Sequence, residues 1–157
     1  MKMMQPFSRA VEEHGPTVLR VCRAVLGAGP DADDAWSETF LAALKAWSTL
    51  DEETNIQAWL VRVAQRKAID ITRSAARQAI PVDELPEALV ETARDAHDHE
   101  LWARVAALPE QQRLAIAYHY LGGLTHVETA ELLAKTPEAV RRAAADGMKT
   151  LRKNHEQ

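Results

Sequence analysis

The segment Gly122 to Arg152, GGLTHVETAELLAKTPEAVRRAAADGMKTLR, constrains this chain most, because it reads as a short helix, a tight turn and a second, basic helix. Thr125 is a good N-cap, Glu128 stands three residues on as its capping-box partner, and Val127, Ala130, Leu132 and Leu133 follow as apolar positions. Ala134-Lys135-Thr136-Pro137 then makes a turn in which Thr136 can cap the next helix. Pro137 takes the first helical position, where its missing N–H costs nothing. This is the layout of a helix-turn-helix.

The second helix, Pro137 to about Arg152, is two-sided. At roughly 100° per residue, Val140, Ala143, Ala144, Gly147 and Leu151 gather on one side, and Arg141, Arg142, Lys149, Arg152 and Lys153 on the other. One face packs, and the other suits the phosphates of a DNA duplex. An ordinary solvated basic face at a helix C-terminus gives the same pattern, since Lys and Arg complement the helix dipole there.

The 157 residues, 46% apolar, suffice for one domain or two small ones. No apolar run is long enough to span a bilayer, and the start MKMMQPFSRAVEEHG carries charges where the apolar segment of a signal peptide belongs, so a cytoplasmic protein is expected. Cys22 is the single cysteine, which excludes an internal disulfide and a cysteine-based zinc site; a buried thiol on an amphipathic helix is the expected role.

The net charge of −4 is unevenly spread. Residues 1–78 carry ten basic and ten acidic side chains, 79–100 one and seven, and 101–157 eight and six. Both flanks can therefore present basic surfaces to a nucleic acid while the middle cannot. The acidic stretch Ala79 to His99, with two prolines and weak apolar periodicity, reads as a linker. The patterns on either side are helical: Val11 to Leu26, Asp33 to Trp47, Ile56 to Ala76, Leu101 to Leu108 and Pro109 to Leu121. An all-α chain of two small helical domains, 5–78 and 100–154, joined by an acidic linker over 79–99, is the simplest account.

In the first domain, Trp59 to Arg77 places Leu60, Val61, Ala64, Ala68, Ile71 and Ala75 on an apolar side. Arg62, Arg66, Arg73 and Arg77 fall within roughly a 60° wedge opposite, with Lys67 at its margin. Asp70 lies one turn from Arg66 and Arg73 and can pair with either. The strip suits phosphate tracking; a solvated helix face remains its rival. In Asp31 to Trp47, Asp31 or Asp33 can cap the helix, and Trp36, Phe40, Ala43, Leu44 and Trp47 form the apolar stripe. Asp34, Ser37, Glu38 and Leu41 share a neighbouring, largely acidic face, which suits a basic protein partner better than DNA.

Together these pieces resemble the extracytoplasmic-function (ECF) class of bacterial RNA polymerase sigma factors, in the sigma-70 superfamily. The resemblance covers nearly the whole chain. Ala32-Asp33-Asp34-Ala35-Trp36-Ser37-Glu38-Thr39-Phe40 is similar to A-E-D-x-x-Q-E-T-F in that family. Trp59-Leu60, Val63-Ala64, Ile69-Asp70 and Arg73 resemble W-L-x-x-I-A-R-N-x-x-I-D-x-x-R. Leu108-Pro109-Glu110-Gln111-Gln112-Arg113 resembles the L-P-x-x-x-R start of region four, and Gly123 to Leu151 its helix-turn-helix.

The resemblance implies core RNA polymerase as partner, through its β′ clamp helices and β flap, together with promoter DNA, and it leaves room for an anti-sigma factor; no membrane is involved. It implies that Asp34, Ser37, Glu38 and Leu41 meet the polymerase. Arg62, Arg66, Lys67, Asp70, Arg73 and Arg77 would meet the minus-ten element, and Thr136, Pro137, Glu138, Arg141, Arg142 and Lys149 the minus-thirty-five element. The loop Ser48 to Ile56, here acidic at Asp51-Glu52-Glu53, would help select a base flipped from the melted strand. Trp59 either stacks on that strand or, beside Leu60, packs in the core. The linker, with its −6 charge, would occupy a basic channel of the polymerase as a nucleic-acid mimic.

The chain departs from the family pattern in places. Ser37 replaces a glutamine, and Gln65-Arg66 stands where Arg-Asn is usual. Thr129 occupies a large aliphatic position, and Ala143, Asp146 and Met148 occupy positions that are usually basic. Upstream recognition is therefore expected to be weak or to rely on Arg141, Arg142 and DNA shape.

Catalysis would belong to the polymerase, and no catalytic residue, cofactor or metal site is expected. The one cluster with ligand chemistry, His97-x-His99 with Asp95, Asp98 and Glu100, falls in the linker, where a preorganised ligand set is not expected. His119 and His126 read as surface or partly packed residues. A stand-alone helix-turn-helix regulator is the alternative function, and it leaves Asp31 to Trp47 and the arginine strip unexplained.

Overall fold

Apolar spacing on the first segment is met by helix α1, Phe7–Leu26, which buries Ala10, Val18, Val21, Cys22 and Ala24 and ends at Gly27. In the computed structural model residues 5–77 and 96–155 are described, with side chains over 5–77 and 100–153. Helix α2, Pro30–Ala46, packs on α1, and two indoles tie the segments: Trp36 Nε1 of α2 donates to the Gly15 carbonyl of α1 at 2.9 Å, and Trp47 Nε1, just past α2, to the carbonyl of Gln5, just before α1, at 3.1 Å. Each indole thus buries its rings without stranding its N–H.

A 3₁₀ turn, Trp47–Thr49, and the exposed acids Asp51, Glu52 and Glu53 lead to helix α3, Ile56–Arg77. Asn55 caps α3 by accepting the Ala58 N–H at 3.1 Å. Helices α1, α2 and α3 enclose a cluster centred on Val18, Phe40, Leu60 and Ala64, with Trp36, Trp59 and Ile71 at its margin.

The second half begins with α4, Ala96–Ala106, so the first turn of this helix occupies the end of the segment expected as linker. Residues 78–95, most of that expected linker, lie outside the described residues. Helix α5, Glu110–Ala115, continues into a π-helical stretch, Ile116–Leu121. Then α6, His126–Leu133, and α7, Pro137–His155, form the helix-turn-helix. All elements among the described residues are helical or irregular, as the periodicity predicts.

The capping chemistry of the motif is as expected. Thr125 Oγ1 accepts the Glu128 N–H at 3.0 Å, and Glu128 Oε1 accepts the Thr125 N–H at 2.9 Å. Ala134 turns the chain in the left-handed region at φ 56°, and Thr136 Oγ1 accepts the Ala139 N–H at 3.1 Å. Gly147 lets α7 settle where α5 runs into the π-helical stretch, because a Cβ there would lie 2.5 Å from Ile116 Cδ1 and 3.3 Å from Gln112 Cβ. A small cluster of Ala115, Ala130, Val140 and Ala144 fills the motif's interior.

The two halves share a core. Val21, Ala24, Ala58 and Val61 from α1 and α3 pack with Trp102, Val105, Ala117, Tyr118 and Leu124 from the second half. The π-helical stretch supplies Ala117 and Tyr118 to this seam, which fits the tendency of such widened turns to sit where a helix surface is put to use.

Some sequence expectations need correction. Asp31 and Asp33 lie inside the first turn of α2; its N-cap is Gly29, with no side-chain cap, and Pro30 opens the helix. Both acids still complement the positive helix end. Ala75 is exposed because α3 runs past the α2 contact at its C-terminal end. Leu44 is 54% exposed, the buried side of α2 being carried instead by Ala32, Ala35, Thr39, Phe40 and Ala43.

Candidate nucleic-acid interface

Helix α3 presents its arginines by a simple division of faces. Leu60, Val61, Val63, Ala64 and Ala68 are buried, so Arg66, Arg73 and Arg77 are turned out and exposed. Arg62, at the N-terminal end of this strip, and Lys67, at its margin, are half-buried. Asp70 is also exposed, but it forms an ion pair with neither Arg66 nor Arg73 among the described residues. The expected intrahelical clamp is absent, so Asp70 does not draw Arg66 or Arg73 away from a solvent-side ligand.

An open groove between α2 and α3 is lined by Asp34, Ser37 and Glu38 on one wall and by Lys67, Asp70, Ile71 and Ser74 on the other. The structure therefore brings the two candidate sets of the first half side by side. Asp34, Ser37 and Glu38 are exposed, and Leu41 next to them is 52% exposed. With Leu44 the face is apolar as well as acidic, a combination that fits protein docking better than simple solvation. Trp59 is only partly buried and packs against the α1–α2–α3 cluster, so its rings are chiefly a core element.

In the helix-turn-helix, Thr136, Glu138, Arg141, Arg142 and Lys149 are exposed, and Pro137 is partly buried at the head of α7. Arg152 and Lys153 extend the exposed basic side. The three substituted positions fare differently. Ala143 packs against the Ala115/Val140 cluster, Met148 is half-buried, and only Asp146 stands fully in the open, on the groove that also holds Arg142. Ala143 therefore contributes to packing, and the negative Asp146 is the substitution that changes the outer face.

His119 and His126 stack with ring centroids 3.9 Å apart, and His119 Nδ1 lies 2.7 Å from the Leu124 carbonyl, a bond that requires the proton on Nδ1. Partial burial, then the neighbouring His119 and Arg141, push the His126 pKa below its ordinary value. Burial, with Asp33 adding to it, pushes the Cys22 thiol up to about 12, which keeps it protonated and unreactive at neutral pH, as expected for a packed thiol. Among the described residues no group of three or more His, Cys, Asp or Glu side chains could hold a metal ion. Asp95 and the side chains of His97, Asp98 and His99 lie outside the described residues. No described helix is long and apolar enough to cross a membrane.

Sequence reasoning missed three residues at the seam. Arg62 Nη2 and Glu128 Oε2 are 3.5 Å apart, Gln57 Nε2 donates to the Gly122 carbonyl at 3.0 Å, and the Arg113 guanidinium donates to the Val25 carbonyl at the end of α1. Glu128, Gln57 and Arg113 each join segments far apart in sequence, so periodicity within either segment carries no signal for them.

Family profiles match both halves in this order: Sigma-70 region 2 over residues 10–78 and Sigma-70, region 4, over residues 98–151. The ECF RNA polymerase sigma factor ShbA of Streptomyces griseus is 33% identical over 90% of this chain and 83% of its own length. The ECF RNA polymerase sigma factor SigD of Mycobacterium tuberculosis is 31% identical over 87% of this chain and 71% of its own. BldN of Streptomyces coelicolor, another ECF sigma factor, is 28% identical over 92% of this chain, which spans 58% of that relative. Among solved structures, RpoE of Bartonella quintana, crystallised with the anti-sigma factor NepR, superposes with a TM-score of 0.71 at 14% identity, covering 94% of each chain. CnrH, solved with the cytosolic domain of CnrY, gives 0.67 at 21% identity over 96% of this chain and 87% of its own, and both likenesses speak to the fold. With an all-helical fold, two matched regions in order and relatives of this similarity, the chain belongs to the ECF RNA polymerase sigma factors of the sigma-70 superfamily.

Proposed function

We propose that this chain is a dissociable initiation subunit that docks on core RNA polymerase through Asp34, Ser37, Glu38 and Leu41 and meets the minus-ten element through Arg62, Arg66, Lys67, Asp70, Arg73 and Arg77. Thr136, Pro137, Glu138, Arg141, Arg142 and Lys149 then contact the minus-thirty-five duplex. The observation that carries this reading is a groove whose α2 wall is the acidic Asp34, Ser37 and Glu38 and whose α3 wall holds Lys67 and Asp70, on the helix that also exposes Arg66, Arg73 and Arg77. Like charge keeps DNA off the first, and fixed cations draw it to the second. A stand-alone duplex-binding regulator has use for the helix-turn-helix but none for that acidic face. RpoE of Bartonella quintana, which shares this fold, was crystallised with the anti-sigma factor NepR, and we extend that partner class to this chain. The setting of these steps is the cytoplasm.

The division of labour is separable by mutation. Glu38→Ala should weaken capture of core polymerase while leaving DNA binding by the free chain intact. Arg66→Ala with Arg73→Ala should leave capture intact, slow open-complex formation, and lower the salt slope for single-stranded DNA by about 1.4, or about 0.7 for each phosphate left without its arginine. Unchanged open-complex formation in the arginine pair, together with intact core capture in Glu38→Ala, would show both site assignments to be wrong.

A further inference from the structure

The seam between the halves places one charged group of the second half on the arginine strip of the first. Glu128 divides its two oxygens: Oε1 accepts the Thr125 N–H in the capping box, and Oε2 faces Arg62 at 3.5 Å. The cap fixes the carboxylate, so Arg62 meets an anion already held in place. Five residues before Arg62, the Gln57 amide donates to the Gly122 carbonyl. Gly123, at φ 80°, leaves room for that amide, since a Cβ there would lie 2.7 Å from Gln57 Nε2. The two contacts lie on the α3 side of the shared core, at the end of the strip from which Arg66, Arg73 and Arg77 continue along an exposed face.

A phosphate approaching Arg62 must displace a carboxylate supplied by the recognition half of the same chain. We infer that Glu128 is an internal competitor for DNA at the N-terminal end of the arginine strip, and that engagement of a single strand by the strip is coupled to release of the helix-turn-helix from α3. The inference rests on the reading of the strip as a DNA-binding surface. It adds that the second half withholds one cation of that surface until the halves part.

Glu128→Gln isolates the charge, because glutamine at this position still serves a capping box. In the full chain, affinity for the oligonucleotide dT20 at low salt should rise about two- to fivefold, the range an exposed ion pair supports. Glu131→Gln, the same charge change at an exposed acid of α6, reports the general electrostatic gain and should give less. In an Arg62→Ala background, the advantage of Glu128→Gln over Glu131→Gln should vanish. Labels on Lys45→Cys and Thr150→Cys, both exposed, read the separation of the halves while Cys22 stays buried. They should shift to longer distances in Glu128→Gln and in wild type on adding dT20. Equal affinities for the two glutamine variants, or an advantage that survives in the Arg62→Ala background, would overturn the inference. Failure of every variant to bind dT20 would instead count against the DNA reading of the strip; the label distances then decide the latch, an unchanged distribution in Glu128→Gln overturning it.

Discussion

Thr129 shows how a single residue type changes the interior. It is fully buried on α6, and its hydroxyl has no hydrogen-bond partner among the described residues. Thr39, equally buried on α2, escapes that cost by donating to the Ala35 carbonyl at 2.6 Å. A buried hydroxyl without a partner costs about 1–3 kcal/mol. Thr129→Val keeps the shape and removes the unpaired group, so it should stabilise the chain by about 1 kcal/mol and raise the thermal midpoint by about 2–4 °C. A midpoint that falls in calorimetry would mean that the hydroxyl is satisfied in solution. The position was legible in the sequence as a departure from the family's aliphatic residue. That its hydroxyl lacks a partner was not, because only the packed surroundings decide it.

At the scale of elements, α6 depends on its cap. The helix has only eight residues, too few to hold itself in water, so the bonds at Thr125 and Glu128 matter more than they would on a longer helix. The backbone N–H of Thr125, helped by its hydroxyl and by Arg62, holds the Glu128 carboxyl below the usual glutamate range. A folded-state pKa that is depressed adds stability above the unfolded value, and that contribution is lost as pH falls through the folded one. Acidification below the ordinary glutamate range should therefore loosen the first turn of α6, while alkaline pH leaves it unchanged. Thr125→Ala should cost about 1 kcal/mol and speed amide exchange at Glu128, whose N–H Thr125 Oγ1 accepts. Unaltered exchange at that amide would show that the cap does not hold the turn.

Elements were the most legible level of this chain. Thr125, Thr136 and Pro137 mark the turns of the helix-turn-helix through local chemistry, and the spacing on α3 separates its arginines from its core. The misreadings arose where a neighbour decides. Asp31 and Asp33 suit a cap by type, but Gly29 and Pro30 start α2 earlier. Ala75 fits the wheel of α3, yet no described helix covers it. The Gln57–Gly122 bond, between residues 65 apart, has no local signature at all.

For the whole molecule, the shared core raises a question of reach. By their names the two promoter elements lie about 25 base pairs apart, or about 85 Å at about 3.4 Å per base pair. A folded chain of 157 residues has a radius of gyration of about 15 Å. Under the proposed function, the packing of Val21, Ala24 and Val61 against Tyr118 and Leu124 is then a closed form, and holding both elements at once requires its opening. Core polymerase is the partner that can offset the exposed apolar seam, which places docking before full promoter engagement.

The central claim, that this chain converts core polymerase into a promoter-selective enzyme, is tested most directly by transcription in vitro. Purified chain would be added to core RNA polymerase on a library of random upstream sequences, and the transcripts sequenced from their 5′ ends. The account predicts start sites at fixed distances from an enriched upstream sequence, seen only when the chain is present. Core polymerase whose start sites are the same with and without the chain, while the chain alone binds duplex DNA from the library, would contradict it.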